Sequence, residues 1–228
     1  CYVGLKHIFP DVPANAGCLA PIAFVIPETS LLGVEPPKPV GGYTETILRV
    51  IGVLFGAMAK AAPQLATAAP FGTINALSLA GETREKRRWV MFSFFGGGLG
   101  GNPVSDGLNH GNNPISMATM PPVEILEASY PVMFTQWALR PDSGGAGMNR
   151  GGLGAIYEIE ALDDNGMEAF LLGERGCFAP FGVEGGQHGA LNRFVWTKAE
   201  GEFTPPLASK VTGVPLRKGE RVRLESPG

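Results

Sequence analysis

The chain is poor in cysteine: Cys1, Cys18 and Cys177 are the only three in 228 residues. Thiols so few and so scattered supply neither a disulfide framework nor a zinc cluster, and they are expected to be reduced cytosolic thiols. Charge is scarce too. Asp, Glu, Lys and Arg make up 17% of the sequence, well short of the usual quarter or so. The net charge is −3 and the basic residues are scattered, apart from Arg84-Glu-Lys-Arg-Arg88. That run is expected to be solvated, and nothing favours nucleic acid as a partner. A long hydrophobic run is also missing. The best stretch, Ile47 to Ala62, is broken by Arg49 and Lys60 and falls short of a membrane span. No signal peptide is visible, so the expected location is cytoplasmic.

Nucleotide and metal motifs are equally thin. There is no Walker A pattern. Gly96-Gly-Gly-Leu-Gly-Gly101 contains the dinucleotide spacing at Gly96, Gly98 and Gly101. Asn102-Pro103 follows it where a phosphate-binding helix should begin, and no βαβ unit surrounds it. The nearby His110 and Asp106 have no second His at ligand spacing, so no metal is assigned to this chain.

What the chain has in abundance is glycine, 33 residues or roughly twice the usual share. One run, Leu139-Arg-Pro-Asp-Ser-Gly-Gly-Ala-Gly-Met-Asn-Arg-Gly-Gly-Leu-Gly154, holds six in sixteen residues. Glycine frees the backbone for sharp turns and close approach at an entropic cost, so such a run marks demanding geometry. Arg140, Asp142 and Arg150, together with Gly144 and Gly145, are read as a structural clamp whose charges pair across the turns. Direct substrate contact is the alternative. With 44% hydrophobic residues and a mean hydropathy of +0.10, the chain either presents apolar surface to another chain or buries one large core.

Periodicity predicts an α+β fold. Tyr2 to Phe9 looks like the end of a helix, and Pro10-Asp-Val-Pro13 stops it. Gly41-Gly-Tyr-Thr44 opens a long helix, Glu45 to Ala62, which is apolar nearly all round and therefore expected to be buried. Its Gly52 and Gly56 would let another backbone come close. Ile22–Ile26 is a short strand candidate. Further strands are expected at 73–79, 89–95, 132–139, 155–162, 168–172, 194–196 and 221–224, with 123–128 a strand or a helical turn. The division is a helical segment, 1–70, continuing from an earlier portion, and a β-rich portion, 71–228, mixed or antiparallel.

The segment richest in useful side chains is Asn102 to Asn113. His110 changes charge near neutral pH, and Asp106 can orient it, so these two are the catalytic candidates. Asn102, Asn109, Asn112 and Asn113 offer paired donors and acceptors suited to a polar or planar amide substrate. The plain alternative is an Asn-rich loop that satisfies its own turns. His7 and His188 are expected to be bystanders and Cys18 a small hydrophobe. Cys1 is either a cut end or a nucleophile released by processing.

Several motifs in order resemble the hydantoinase B family and the matching C-terminal half of 5-oxoprolinases. They are Pro10-Asp-Val-Pro-Ala-Asn-Ala-Gly-Cys18, Gly41-Gly-Tyr-Thr-Glu-Thr46, Pro122-Val-Glu-Ile-Leu-Glu127 and Leu139 to Gly147. Arg150-Gly-Gly-Leu-Gly154, Glu174-Arg175 with Pro180-Phe-Gly182 and Gly185-Gly186, and Ser209-Lys-Val-Thr212 complete the set. The resemblance covers the whole chain but only the later part of such a protein, without the family's H-x-x-D and H-H-x-D-I-G-G metal motifs. It implies ATP-dependent hydrolysis of a cyclic amide through a phosphorylated carbonyl. ATP and a divalent metal would both be bound outside this chain, in a hetero-oligomer with an A-type ATP-handling subunit and the remaining N-terminal portion of the B-type subunit. Related ketone carboxylases offer a second reaction class, and a non-catalytic scaffold docking the A-type subunit a third reading.

Overall fold

A computed structural model describes residues 1–112, 114, 116 and 119–228. Three α-helices and nine strands are present among them: α1 Tyr2–Ile8, α2 Tyr43–Ala61, α3 Val123–Ser129, then β1 Ala76–Glu82, β2 Arg88–Phe94, β3 Val132–Leu139, β4 Ala155–Ala161, β5 Met167–Leu172, β6 Arg193–Lys198, β7 Gly201–Phe203, β8 Lys210–Leu216 and β9 Arg221–Glu225. The strands form two antiparallel sheets, ordered β2-β1-β5-β8 and β3-β4-β9-β6-β7. The fold is α+β, a helical leading part followed by strands. None of the described helices is long and apolar enough to cross a membrane.

Helix α2 begins where Gly42 turns the chain at φ +61°, with Glu45 in the first turn and Lys60 in the last. Both charges complement the helix dipole, and Pro63 opens the short 3₁₀ turn that follows. Leu48, Ile51 and Phe55 are buried, whereas Ile47 and Val53 are 40% and 72% exposed. Within this chain, then, only one side of the apolar helix is covered. Gly52 and Gly56 do admit close neighbours, but these are the side chains of Arg175 and Phe181 rather than another backbone.

Strand β1 starts at Ala76, three residues later than its sequence pattern suggests. The cause is local: the Ile74 amide donates to Glu45 Oε1 at 2.7 Å, so it is already engaged before the ladder begins. The 123–128 segment resolves as helix α3. Ile22–Ile26 forms no strand; Phe24, Val25 and Ile26 lie exposed between Pro21 and Pro27.

Both sheets feed one apolar core, with Leu77, Leu79, Met91 and Leu171 from the first and Tyr157, Ile159, Trp196, Val222 and Leu224 from the second. In β5, Met167, Ala169 and Leu171 are buried while Glu168 and Leu172 are exposed, the alternation of a one-sided strand. Four connections meet at one end of these sheets: the Gly-rich segment after β2, the β3–β4 loop, the β5–β6 loop and the tail after β9. Backbone bonds lock them together: Gly98 N to Pro227 O (2.9 Å), Gly107 N to Arg150 O (2.8 Å), Gly152 N to Leu99 O (2.8 Å) and Gln187 N to Ala146 O (2.8 Å).

Candidate functional site

The glycines of these loops are there because backbone meets backbone. A Cβ on Gly98 would sit 2.0 Å from Gly152 O, on Gly100 2.0 Å from Ala68 O, and on Gly145 2.1 Å from Gln187 O. No side chain fits such gaps. The amides of Gly97, Gly98 and Leu99 donate to the carbonyls of Gly111, Pro227 and Leu108. They are spent on tying loops and offer no cradle for a pyrophosphate.

The predicted charge set is divided between two ion pairs, Arg140 with Glu225 and Arg150 with Asp106. Arg140 donates through Nη1 to the carbonyls of Leu191 (2.7 Å), Glu225 (3.3 Å) and Ser226 (3.2 Å), and its Nη2 lies 3.5 Å from Glu225 Oε2. Burial pulls its pKa down, opposed by the nearby Glu225 charge. Arg150 turns the other way. Its backbone amide donates to Asp106 Oδ1 (2.8 Å), its Nε lies 3.9 Å from Asp106 Oδ2, and its Nη1 donates to Asn109 Oδ1 (3.2 Å). Asp142 takes part in neither ion pair and sits at φ +55°. Gly144 is pressed against the carbonyl of Gly151.

Asn102 and Asn109 hold backbone in place. Asn102 Oδ1 accepts from Val104 N and Ser105 N at 3.0 Å each, and its own carbonyl accepts from Asn149 Nδ2 at 2.7 Å. Asn109 Oδ1 also accepts from Leu153 N at 2.9 Å. Asn112 follows Gly111, which pairs with Gly97; Asn113 lies outside the described residues.

His110 has φ +49°, and its amide donates to Leu153 O at 2.8 Å. Its Nε2 meets the Tyr157 hydroxyl, which also reaches Gly96 O at 3.4 Å. Trp137 and Tyr157 flank the imidazole, with centroids 6.0 and 5.7 Å away. Burial pushes the His110 pKa below its ordinary value and the Tyr157 pKa above its own. At neutral pH the pair is therefore a neutral imidazole against a protonated phenol.

Two cavities share the wall formed by Ala68, Gly100 and Asn102. The smaller, about 190 Å³, is lined by Asp106 with His7, Thr67 and Ser105. The larger, about 300 Å³, is walled mainly by glycine and alanine, with Gln64, Met148, Phe181 and Gln187 among its larger side chains. Arg175 braces this wall from behind. Its Nε, Nη1 and Nη2 donate to the carbonyls of Phe71 (3.3 Å), Ala179 (3.3 Å) and Pro70 (3.4 Å), and burial lowers its pKa to about 10. No sequence motif announced the larger cavity, because backbone rather than a set of side chains builds it. Its one trace in the sequence is Pro180-Phe-Gly182 followed by Gly186, residues that line one of its walls. Among the described residues no group of three or more His, Cys, Asp and Glu is placed to hold a metal ion.

Known proteins share this architecture. 5-Oxoprolinase 1 of Arabidopsis thaliana is 32% identical over 96% of this chain, which spans 16% of that protein's length. The crystal structure of the ATP-dependent caprolactamase from Pseudomonas jessenii superposes on all of the chain with a TM-score of 0.81 at 25% identity, and the chain covers 41% of it. Nucleotide-free acetone carboxylase shares the fold over 70% of the chain, at 20% identity and a TM-score of 0.52; there the chain covers 26% of the solved polypeptide. The family model for hydantoinase B/oxoprolinase matches residues 1–228 from end to end, and the chain belongs to that family.

Proposed function

We propose that this chain is part of the B-type subunit of an ATP-dependent cyclic amidohydrolase. The observation that carries the reading is the match of its whole length to an ATP-dependent caprolactamase, within a family defined by hydantoinase B and oxoprolinase. In the proposed reaction a ring carbonyl is activated by phosphorylation and the ring is then opened by water. ATP is handled by an A-type partner subunit. The divalent metal of the reaction is likewise proposed to be bound outside this chain, whose described residues gather no group of three or more His, Cys, Asp and Glu.

This chain's share is a shielded chamber, because a phosphorylated carbonyl is lost to water unless solvent is kept out. Interlocked loops suit that purpose, since most of their wall is backbone tied to backbone. Asp106 and His110 both bond to the Arg150–Leu153 stretch, and they are the proposed acid–base residues. With Nε2–H donating to Tyr157, whose hydroxyl donates on to Gly96 O, neutral His110 can take a proton from water at Nδ1, and Asp106 holds the loop that presents it. Asn102, Asn109, Asn112 and Asn113 are the proposed ring-binding amides, with Asn102 reaching the ring from the wall that the two cavities share.

The test is an assay of the complete assembly. ATP-dependent opening of caprolactam, hydantoin or 5-oxoproline is expected, and bicarbonate-dependent ATP hydrolysis with ketones would instead mark a carboxylase. Asp106→Ala and His110→Ala should each slow ring opening about 100-fold with the assembly intact. Unchanged rates would reduce the chain to a scaffold.

A further inference from the structure

Resting on the proposed function, we propose that the larger cavity receives an uncharged cyclic amide, a lactam or imide ring, and rejects rings that carry a carboxylate. Its volume of about 300 Å³ lies at the small end of ligand sites and suits a five- to seven-membered ring.

The chemistry of the wall decides which ring. Glu184 is the one charged side chain among the described residues that line it, and it is exposed. No arginine or lysine is among the described residues that line it. Arg175 faces the carbonyls of Pro70, Phe71 and Ala179, and Arg150 faces Asp106 and Asn109. A carboxylate entering this space would shed water and meet no cation, which is costly. A neutral ring amide needs only a donor and an acceptor. Gln64, Asn149 and Gln187 bring carboxamides to the lining; Asn149 gives its Nδ2 to Asn102 O and keeps Oδ1 as an acceptor. Phe181, packed against Gly56, supplies an apolar surface for ring methylenes.

The cavity is also pre-formed. Ala68 N to Gly101 O (3.0 Å), Ala69 N to Phe181 O (2.9 Å), Gln187 N to Ala146 O (2.8 Å) and Gly189 N to Pro180 O (3.0 Å) tie its walls to one another. A wall that is mostly fixed backbone leaves few side chains to order on binding, so a small neutral ligand can reach useful affinity.

Calorimetry on the complete assembly without ATP tests this, using caprolactam, 2-piperidone, hydantoin and 5-oxoproline. The neutral rings should bind at least about tenfold more tightly than 5-oxoproline. Val183→Trp, which fills the lining, should weaken neutral-ring binding about tenfold or more with the circular dichroism unchanged. Gln64→Arg adds a cation and should shift the preference towards 5-oxoproline by about tenfold, a gain that misfolding cannot imitate. Equal or tighter binding of 5-oxoproline to the unmodified protein overturns the proposal. So does an absence of ring binding, an unchanged affinity in the Trp variant, or an unchanged preference in the Arg variant. Neutral-ring binding without ATP-driven ring opening would strike the proposed function alone. Ring opening whose KM ignores Val183→Trp would strike the cavity assignment alone.

Discussion

Two parts of this molecule have little regular secondary structure, and they differ in what holds them. Residues 10–42 carry two short 3₁₀ turns, and their apolar side chains lie open: Val25 is 88% exposed, Leu31 76% and Val40 80%. Their backbone bonds are local, such as Ser30 N to Pro27 O and Gly33 N to Ser30 O. The loops at 96–111, 139–154 and 173–192 are equally irregular, yet their bonds join residues far apart in sequence. Gly98 N, for instance, reaches Pro227 O. Irregular backbone is rigid where its polar groups are satisfied across the chain and loose where they are satisfied within a turn.

The same substitution should behave differently in the two parts. Gly98→Ala places a Cβ 2.0 Å from Gly152 O and 2.7 Å from Gly228 C, backbone atoms that cannot step aside. It should cost about 4 kcal/mol or more, a large share of a typical domain's stability, seen as loss of soluble protein or a collapsed urea midpoint. Arg140→Ala should cost about 2 kcal/mol, because the carbonyls of Leu191, Glu225 and Ser226 lose this donor at the loop junction, while the Glu225 carboxylate keeps Arg223 at 2.8 Å. Chemical denaturation measures it, and a cost below about 1 kcal/mol would mean the loops hold without their clamp.

A smaller effect concerns His110. Burial disfavours its charged form, so its folded pKa lies below the unfolded one. The stability it allows is complete above the ordinary pKa near 6.5 and is lost as pH falls through the lowered value. Its imidazole proton signals should therefore titrate below pH 6.5, and a midpoint at or above 6.5 would show that water reaches the ring. Smallest of all, Gly41→Ala has no atom within 4 Å of its new Cβ and should change stability by no more than about 0.5 kcal/mol. A large loss there would erase the contrast between the two parts.

Much of the fold was legible because burial imposes periodicity. The long helix and the strands β3, β4, β5 and β9 fall close to where alternation places them. Strand β8 is hidden in the sequence because Gly213 and Pro215 interrupt its pattern, and β7 is only three residues long. Ile22–Ile26 looked like a strand, yet no strand edge among the described residues takes it up. The sites were harder to read, since their geometry is set by distant partners. Arg140 answers to Glu225, 85 residues on, and His110 to Tyr157, 47 residues on. No local spacing announces either pair.

The bare-backbone wall of the larger cavity has a consequence for how this scaffold can change. A position whose Cβ would collide with a carbonyl has a single tolerated occupant, so Gly100, Gly145 and Gly182 are frozen for any mutational search. Diversity must enter through the few side chains that share the lining, chiefly Gln64, Met148, Val183 and Gln187. A library confined to those four positions would vary the shape and chemistry of the cavity over most of the range that this architecture can offer, while random mutagenesis of the glycine loops would return mainly misfolded protein.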